Sequence, residues 1–224
     1  MDIQVNDVSK VFGATTIINH VSMRLASGHI YGFQGINGCG KTMLMRLIAG
    51  LIYPTTGEVI VDGRVLRGQN SFPPSMGLLI ENPAFLGGYT GFENLKMLAG
   101  ISDKITDEEI RKAIVRVGLD PTDKKKYRKY SLGMKQRLGI ACSIMERPDL
   151  LILDEPFISL DEAGVQTVFE IIKQEKARGA LVIMACHEYE TLAALADEIF
   201  RITAGSITKH LVKAPNGGLE EVPM

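Results

Sequence analysis

The stretch that most constrains this chain is Gly35-Ile36-Asn37-Gly38-Cys39-Gly40-Lys41-Thr42, which fits the phosphate-binding pattern G-x-x-x-x-G-K-[ST] at every position. Ile30-Tyr31-Gly32-Phe33 precedes it and reads as a short strand. Met43, Leu44, Leu47 and Ile48 follow at helical spacing. Glycines at 35, 38 and 40 let backbone amides converge on an anion without side chains in the way. A helix starting near Lys41 aims its unpaired amides, and roughly half a unit of positive charge, at the same spot. Lys41 adds a full cation near the outer phosphates of a nucleotide, and the Thr42 hydroxyl is placed to ligate magnesium. The competing reading is a glycine-rich turn that binds nothing. Three glycines with a Lys-Thr pair at this spacing argue against it.

At 224 residues the chain has room for one large domain, or for one with an attached lobe, and for a substantial core. The formal net charge of −1 gives no global electrostatic reason to expect nucleic acid or anionic lipid as a partner. Cys39, Cys142 and Cys186 sit far apart with no C-x-x-C spacing, which points to reduced, mostly buried thiols and a cytosolic setting. The start, Met1-Asp2-Ile3-Gln4, lacks the basic and apolar regions of a signal peptide. No apolar run approaches about 18 residues, so a membrane role is expected only through a partner.

Along the chain, Ile3 and Val5, then Val21, Met23 and Leu25, alternate as strands do, with Gly13 and Gly28 at turns. Phe12, just before Gly13, is either core packing or an aromatic that stacks on a nucleotide base. Residues 57–66 read as a hairpin with an Asp62-Gly63 turn. The strand Gly77-Leu78-Leu79-Ile80 ends at Glu81-Asn82-Pro83. A carboxylate there is within reach of a ligand, or is a solvated loop acid. From about 91 to 147 the pattern is helical: Phe92, Leu95 and Leu98 lead, and Thr106-x-x-Glu109 has capping-box spacing ahead of Ile110, Ile114 and Val117. The basic run 124–129 is a solvated face or a docking surface for an acidic partner. Ser131 is the expected N-cap of the helix that runs to about Glu146.

Leu150-Leu151-Ile152-Leu153 reads as a buried parallel strand, with Asp154 and Glu155 emerging at its carboxyl end. Beside a phosphate loop the aspartate is expected to hold magnesium, and the glutamate to deprotonate the attacking water. Ser159-Leu160-Asp161 precedes a helix carrying Val165, Val168, Phe169 and Ile172. Residues 181–186 form a further buried strand capped by His187, a candidate γ-phosphate contact, whereas His20 reads as structural. A strand pair is expected around Gly205, and the tail from Lys213 is expected to be loose.

In this order the segments resemble the ATP-binding cassette of ABC transporters across nearly the whole chain. The resemblance implies an α/β P-loop NTPase core with a mixed, mostly parallel sheet, an N-terminal antiparallel part and an inserted helical subdomain. The core would comprise 1–81 and 148–212, the helical subdomain 82–147, and the loose tail 213–224. It assigns base stacking to Phe12, phosphates to Gly35 through Thr42 with Met43 behind them, and magnesium to Thr42, Glu81 and Asp154. Catalysis falls to Lys41, Glu155 and His187, and a second subunit's ATP to Ser131 and Gly133. Two departures stand out. Glu81 replaces the family's usual glutamine, and Tyr130-Ser131-Leu132-Gly133-Met134 replaces Leu-Ser-Gly-Gly-Gln. Both look like the bacterial subgroup tied to bacitracin resistance and lantibiotic immunity.

The resemblance further implies an ATPase with ATP and Mg2+ as cofactors, paired head to tail with a copy of itself or a close relative. It would energise export through a separate polytopic membrane subunit, at the cytoplasmic face of the membrane. The alternatives are a soluble ABC ATPase acting on ribosomes or nucleic acid, disfavoured by a single cassette and the −1 charge, and a phosphate-loop kinase, in which Ser131 and His187 have no role.

Overall fold

The computed structural model describes residues 1–215 and 217–223. Its elements are β1 (Asp2–Phe12), β2 (Thr15–Ala26), β3 (Ile30–Gln34), α1 (Lys41–Ile48), β4 (Thr56–Val61), β5 (Arg64–Val65) and β6 (Met76–Leu79). Then come α2 (Gly91–Ser102), α3 (Asp107–Arg116), α4 (Leu132–Ile144), β7 (Leu150–Asp154), α5 (Glu162–Ala177), β8 (Leu181–Ala185), α6 (Tyr189–Leu195), β9 (Glu198–Thr203), β10 (Ser206–Lys213) and β11 (Leu219–Val222).

Two sheets organise these elements. The antiparallel one runs β2-β1-β4-β5, closed at one end by the expected Asp62-Gly63 turn, where both residues have positive φ. The larger runs β11-β10-β9-β3-β8-β7-β6, with β9, β3, β8, β7 and β6 parallel and β10 and β11 antiparallel at one edge. This is the mixed, mostly parallel sheet the sequence implies. Every residue of β7 and β8 is buried, as expected of parallel strands covered on both faces. Their alternate side chains divide between two cores. Leu151, Leu153, Val182 and Met184 pack with the helices, while Leu150, Ile152, Leu181 and Ile183 pack with α1 and the antiparallel sheet.

Between β6 and β7 the chain is helical. Thr106 and Glu109 form the expected capping box on α3, and Thr90 and Glu93 form a second one on α2. The basic run anchors here through aromatics: Tyr127 and Tyr130 are buried, the Tyr127 hydroxyl donates to the Pro83 carbonyl at 2.5 Å, and Lys126 pairs with Glu93.

One expectation needs correcting. The tail from 213 is not loose throughout. β11 pairs with β10 from His210↔Val222 to Lys213↔Leu219, because an edge strand with free backbone groups offers a ladder that a short following segment can join. Asn216 and Met224 of that tail lie outside the described residues.

Candidate active site

The parallel strands deliver the chemistry at their carboxyl ends, as open α/β sheets do. β3 leads into the glycine loop, β7 ends at Asp154 with Glu155 next, β8 is followed by Cys186 and His187, and Glu81 comes two residues after β6. The loop backbone explains its glycines. A Cβ at Gly35 would collide with the Ile202 carbonyl oxygen and the Cys39 sulfur, while Gly38, at φ +79, faces open space. Gly40 caps α1 at φ +112. Cys39 is buried, whereas Ile36, Asn37 and Gly38 are exposed. Lys41 is only 6% exposed, and its ammonium donates to the Gly35 and Ile36 carbonyls at 2.6 and 3.2 Å. The cation is therefore already held across the mouth of its own loop.

A cavity of about 340 Å³ lies over this loop. It is bordered by Asn37, Lys41, Thr42, Met43, Asp154 and Glu155, and by two residues the sequence reading did not single out, Ile17 and Arg46. The Thr42 hydroxyl donates to Asp154 Oδ2 at 2.5 Å. Burial pushes the Asp154 carboxyl above its ordinary range, against the downward pull of that hydroxyl and of Lys41. Glu81 also borders the cavity, at φ +61, and pairs with Arg46 at 2.5 Å. Arg46 thus offsets the negative charge that Glu81 brings to the cavity over the glycine loop.

Glu155 takes a left-handed backbone, φ +49, a conformation that costs a non-glycine residue on the order of 1–3 kcal/mol and clusters at functional sites. Its amide donates to Ala185 O at 3.0 Å. Its carbonyl accepts from Gln136 Nε2 at 3.2 Å, and the same amide group reaches Pro156 O at 3.1 Å. Gln136 belongs to α4, so that helix and the Glu155 turn are tied together by a side chain that periodicity alone reads as one more helical position. His187 Nδ1 lies 3.1 Å from Glu155 Oε2. Cys186 is buried between them in sequence, and burial pushes its thiol up to about 11.

Ser131 and Gly133 lie elsewhere. The Ser131 hydroxyl accepts from the Met134 amide at 3.2 Å and so caps α4 as expected. Ser131 is exposed, Leu132 is 70% exposed, and a Cβ on Gly133 would come within 2.7 Å of the Ser159 carbonyl oxygen. These residues border a second cavity of about 630 Å³ with Arg137 and Asp161. No residue lines both this cavity and the one over the glycine loop. Asp161 caps α5 and pairs with Arg137 at 2.5 Å. The Gly164 amide, and after it Arg137, hold the Asp161 carboxyl below the usual range.

Phe12 ends β1, about half exposed, with the Lys10 ammonium 4.8 Å from its ring centre. It does not border the 340 Å³ cavity. His20 pairs with Asp7 on the surface at 2.7 Å. Among the described residues no helix is long and apolar enough to cross a membrane.

Such a sheet, with a phosphate loop and paired carboxylates at one edge, defines a nucleotide-hydrolysing cassette. Residues 18–158 match the family described as ABC transporter, and the chain belongs to that family as an ATP-binding subunit with ATPase activity. It is 44% identical to the ABC transporter ATP-binding protein YybJ of Bacillus subtilis, over 92% of this chain and 94% of that protein. The bacitracin transport ATP-binding protein BcrA of Enterococcus faecalis is 36% identical over 96% of this chain and 69% of its own length. The lantibiotic transport ATP-binding protein SrtF of Streptococcus pyogenes is 34% identical over 98% and 95%. The cassette MJ0796, solved as a dimer in a post-hydrolysis state with ADP and Pi, aligns at TM-score 0.83 and 18% identity, over 93% of this chain and 97% of that one. At that identity the likeness speaks for the fold. The relatives named here are all transport proteins, and they lend no support to a ribosomal or nucleic-acid role.

Proposed function

We propose that this chain hydrolyses ATP in a composite site shared by two subunits, and so powers export of an amphipathic peptide through a separate membrane protein. The observation that carries the reading is the separation of the two half-sites. The loop at 35–42 has its own cavity, while Ser131 and Gly133 face a different one with no shared lining. A head-to-tail pair would bring one subunit's Ser131 and Gly133 over its partner's glycine loop.

The residues fit both ligands. The loop offers amides, a helix start and Lys41 to a triphosphate. Thr42 and Asp154 give an oxygen-only donor pair at 2.5 Å, with the carboxylate 8% exposed, which suits Mg2+. When bound, that ion would neutralise phosphate charge. Glu81 would join the donor set by releasing Arg46. Since the Glu81 side chain is 64% exposed, that pair is worth no more than about 1 kcal/mol and is an easy one to break.

In hydrolysis Glu155 takes the proton of the attacking water. His187, 3.1 Å from the Glu155 carboxylate, steadies that side chain and donates to the γ-phosphate. Gln136 holds the Glu155 turn, and Phe12, outside the 340 Å³ cavity, stacks on the base where it projects beyond the loop. Because ATP gains the Ser131 and Gly133 contacts only in the closed pair, binding favours closure and hydrolysis releases it. The helical segment 82–147 then carries that movement from Glu81 to a polytopic membrane subunit on the cytoplasmic face of the membrane. The names of BcrA and SrtF, a bacitracin and a lantibiotic transport protein, support a peptide antibiotic as cargo.

Mixing two inactive variants tests the shared site. Lys41→Ala and Ser131→Arg each disable both sites of a pair, but a mixed pair keeps one intact loop facing one intact Ser131. Mixing is expected to restore ATPase activity well above the sum of the separate variants. A mixture no more active than that sum would end the composite-site reading.

A further inference from the structure

We propose that Glu155, Cys186 and His187 form a binding site for a soft divalent cation, of which Zn2+ is the best match, and that occupancy shuts the ATPase off. A carboxylate oxygen, the Cys186 sulfur and a ring nitrogen of His187 all lie within 4.8 Å of one another, and His187 Nδ1 is 3.1 Å from Glu155 Oε2. Bonds of about 2.0–2.3 Å to a tetrahedral ion set ligand separations of roughly 3.3–3.8 Å. The nitrogen–oxygen pair is already at that scale, and side-chain rotation brings in the sulfur.

The donor set decides which ion binds. Sulfur, nitrogen and one oxygen suit zinc and discriminate against magnesium, which demands oxygen. Three protein ligands leave the fourth position to water. The other ring nitrogen of His187, Nε2, lies 3.9 Å from Glu188 Oε1. Metal-bound histidines commonly present that nitrogen to a carboxylate, and a small turn of the ring brings the pair into hydrogen-bond range. Entry is open from the His187 side, where the side chain is 57% exposed, while the thiol sits buried behind it. The backbone holds the three together: the Glu155 amide donates to Ala185 O at 3.0 Å, and the Cys186 amide donates to Phe33 O at 3.4 Å.

On binding, the Cys186 thiol gives its proton to solvent and the sulfur bonds to the ion as thiolate. Glu155 and His187 are then committed to the metal and lost to hydrolysis. This consequence rests on the roles proposed for those two residues above, whereas the metal site itself rests on geometry alone.

The experiment compares the full chain with its Cys186→Ser variant, Cys39 and Cys142 being present in both. Co2+ replaces Zn2+ as the spectroscopic probe. The wild type is expected to show a thiolate-to-cobalt charge-transfer band in the near ultraviolet, and the variant to lack it. Buffered free Zn2+, in the presence of Mg-ATP, is expected to inhibit the wild type at concentrations at least roughly tenfold lower than the variant, since loss of even an outer-shell partner weakens metal sites by about 10–100-fold. Basal ATPase activity in the variant certifies its fold. A missing cobalt band in the wild type, or a band and an inhibition profile identical in both proteins, overturns the proposal. A Cys186-dependent band with turnover untouched by zinc keeps the metal site and overturns the roles assigned to Glu155 and His187.

Discussion

The starts of α1 and α4 are both anion-ready helix ends, and they are built to opposite plans. At α1 the cation is inside: Lys41 is 6% exposed, with its ammonium on two carbonyls of its own loop, and Thr42 reaches Asp154 within the same subunit. At α4 the cap is Ser131, the next side chain, Leu132, stands 70% exposed, and Arg137, bordering the same cavity, is paired with Asp161 at 2.5 Å. The first end is a finished cradle. The second has satisfied its own capping requirement and leaves an apolar residue pointing outward, which is how a surface that completes another subunit's site would be prepared. On the composite-site proposal, a ligand uses the former within one chain and the latter only across two.

Lys41→Ala breaks the finished half, and the largest effect is expected there. Nucleotide affinity of the isolated subunit and turnover should both fall, turnover by about 10³-fold or more, since even one neutral donor to a developing charge is worth about 10²–10³. Equilibrium binding of a fluorescent ATP analogue at low protein concentration, beside a phosphate-release assay, reads both. Unchanged affinity would mean the ammonium stays on Gly35 and Ile36 and never turns to the ligand.

Gly133→Ala probes the outward half. Its Cβ would sit 2.7 Å from the Ser159 carbonyl oxygen, so the start of α4 must shift by a fraction of an ångström. A misplacement of 1 Å can cost about 10²-fold, and a loss of roughly 10-fold in turnover is expected here. Affinity of the single subunit for ATP should not change, because Gly133 does not border the loop cavity. If affinity falls in step with turnover, the contrast between the two helix starts is false.

Asp154→Asn sharpens the comparison from the side of stability. Burial raises the Asp154 carboxyl in the folded protein, so the native state holds its proton to higher pH than the unfolded chain does. The sign follows: the stability tied to this group is fully present below the unfolded value of 3.8 and is lost as pH rises through the folded one. At neutral pH the wild type bears the full cost of a buried charge. The asparagine variant should therefore have the higher Tm at pH 7, a difference that shrinks toward nothing below the unfolded value, while its turnover collapses. Melting curves across pH check it. A Tm that falls at pH 7 would show the carboxylate stabilising the cradle rather than straining it.

How much of this was legible beforehand depended on whether the signal was local. The glycine loop, the four aliphatics of β7, the Asp62-Gly63 turn and the Thr106-x-x-Glu109 box each carry their cause within a few residues. Thr90-x-x-Glu93 has the same spacing, directly ahead of the helical run led by Phe92, Leu95 and Leu98, and is equally readable. Gln136 to Glu155, Arg46 to Glu81 and Arg137 to Asp161 join positions 19, 35 and 24 residues apart, and no periodicity reports such pairs. Cys186 shows the same limit. In the sequence it is the last residue of an apolar strand, and only the close of β8 against β7 brings its sulfur to Glu155. The edge strand β11 carries no periodic signal: Pro215 and two glycines precede it, and Leu219-Glu220-Glu221-Val222 puts its two apolar residues on opposite faces, so only pairing with β10 reveals it.

Arg46→Ala tests the smallest contrast between the two helix starts: both cavities border an arginine–carboxylate pair, but beside α1 the carboxylate, Glu81, is the one proposed to serve the metal. The Arg46–Glu81 pair is at 2.5 Å, but the two side chains are 33% and 64% exposed, so solvent screens it and its worth to stability is at most about 1 kcal/mol. For a chain of this size that amounts to about 2–4 °C or less in Tm. Turnover should respond in the other direction from an ordinary loss of contact. With Arg46 gone, Glu81 swings free, its carboxylate reaches the donor set more readily, and the Mg2+ concentration for half-maximal activity should drop. Without the offsetting cation, though, that carboxylate also opposes the phosphates, so ATP affinity should weaken modestly. Titrating Mg2+ at saturating ATP, and ATP at saturating Mg2+, separates the two. If Arg46→Ala raises the Mg2+ requirement, Glu81 does not serve the metal, and its pair with Arg46 belongs to the scaffold of α1 instead.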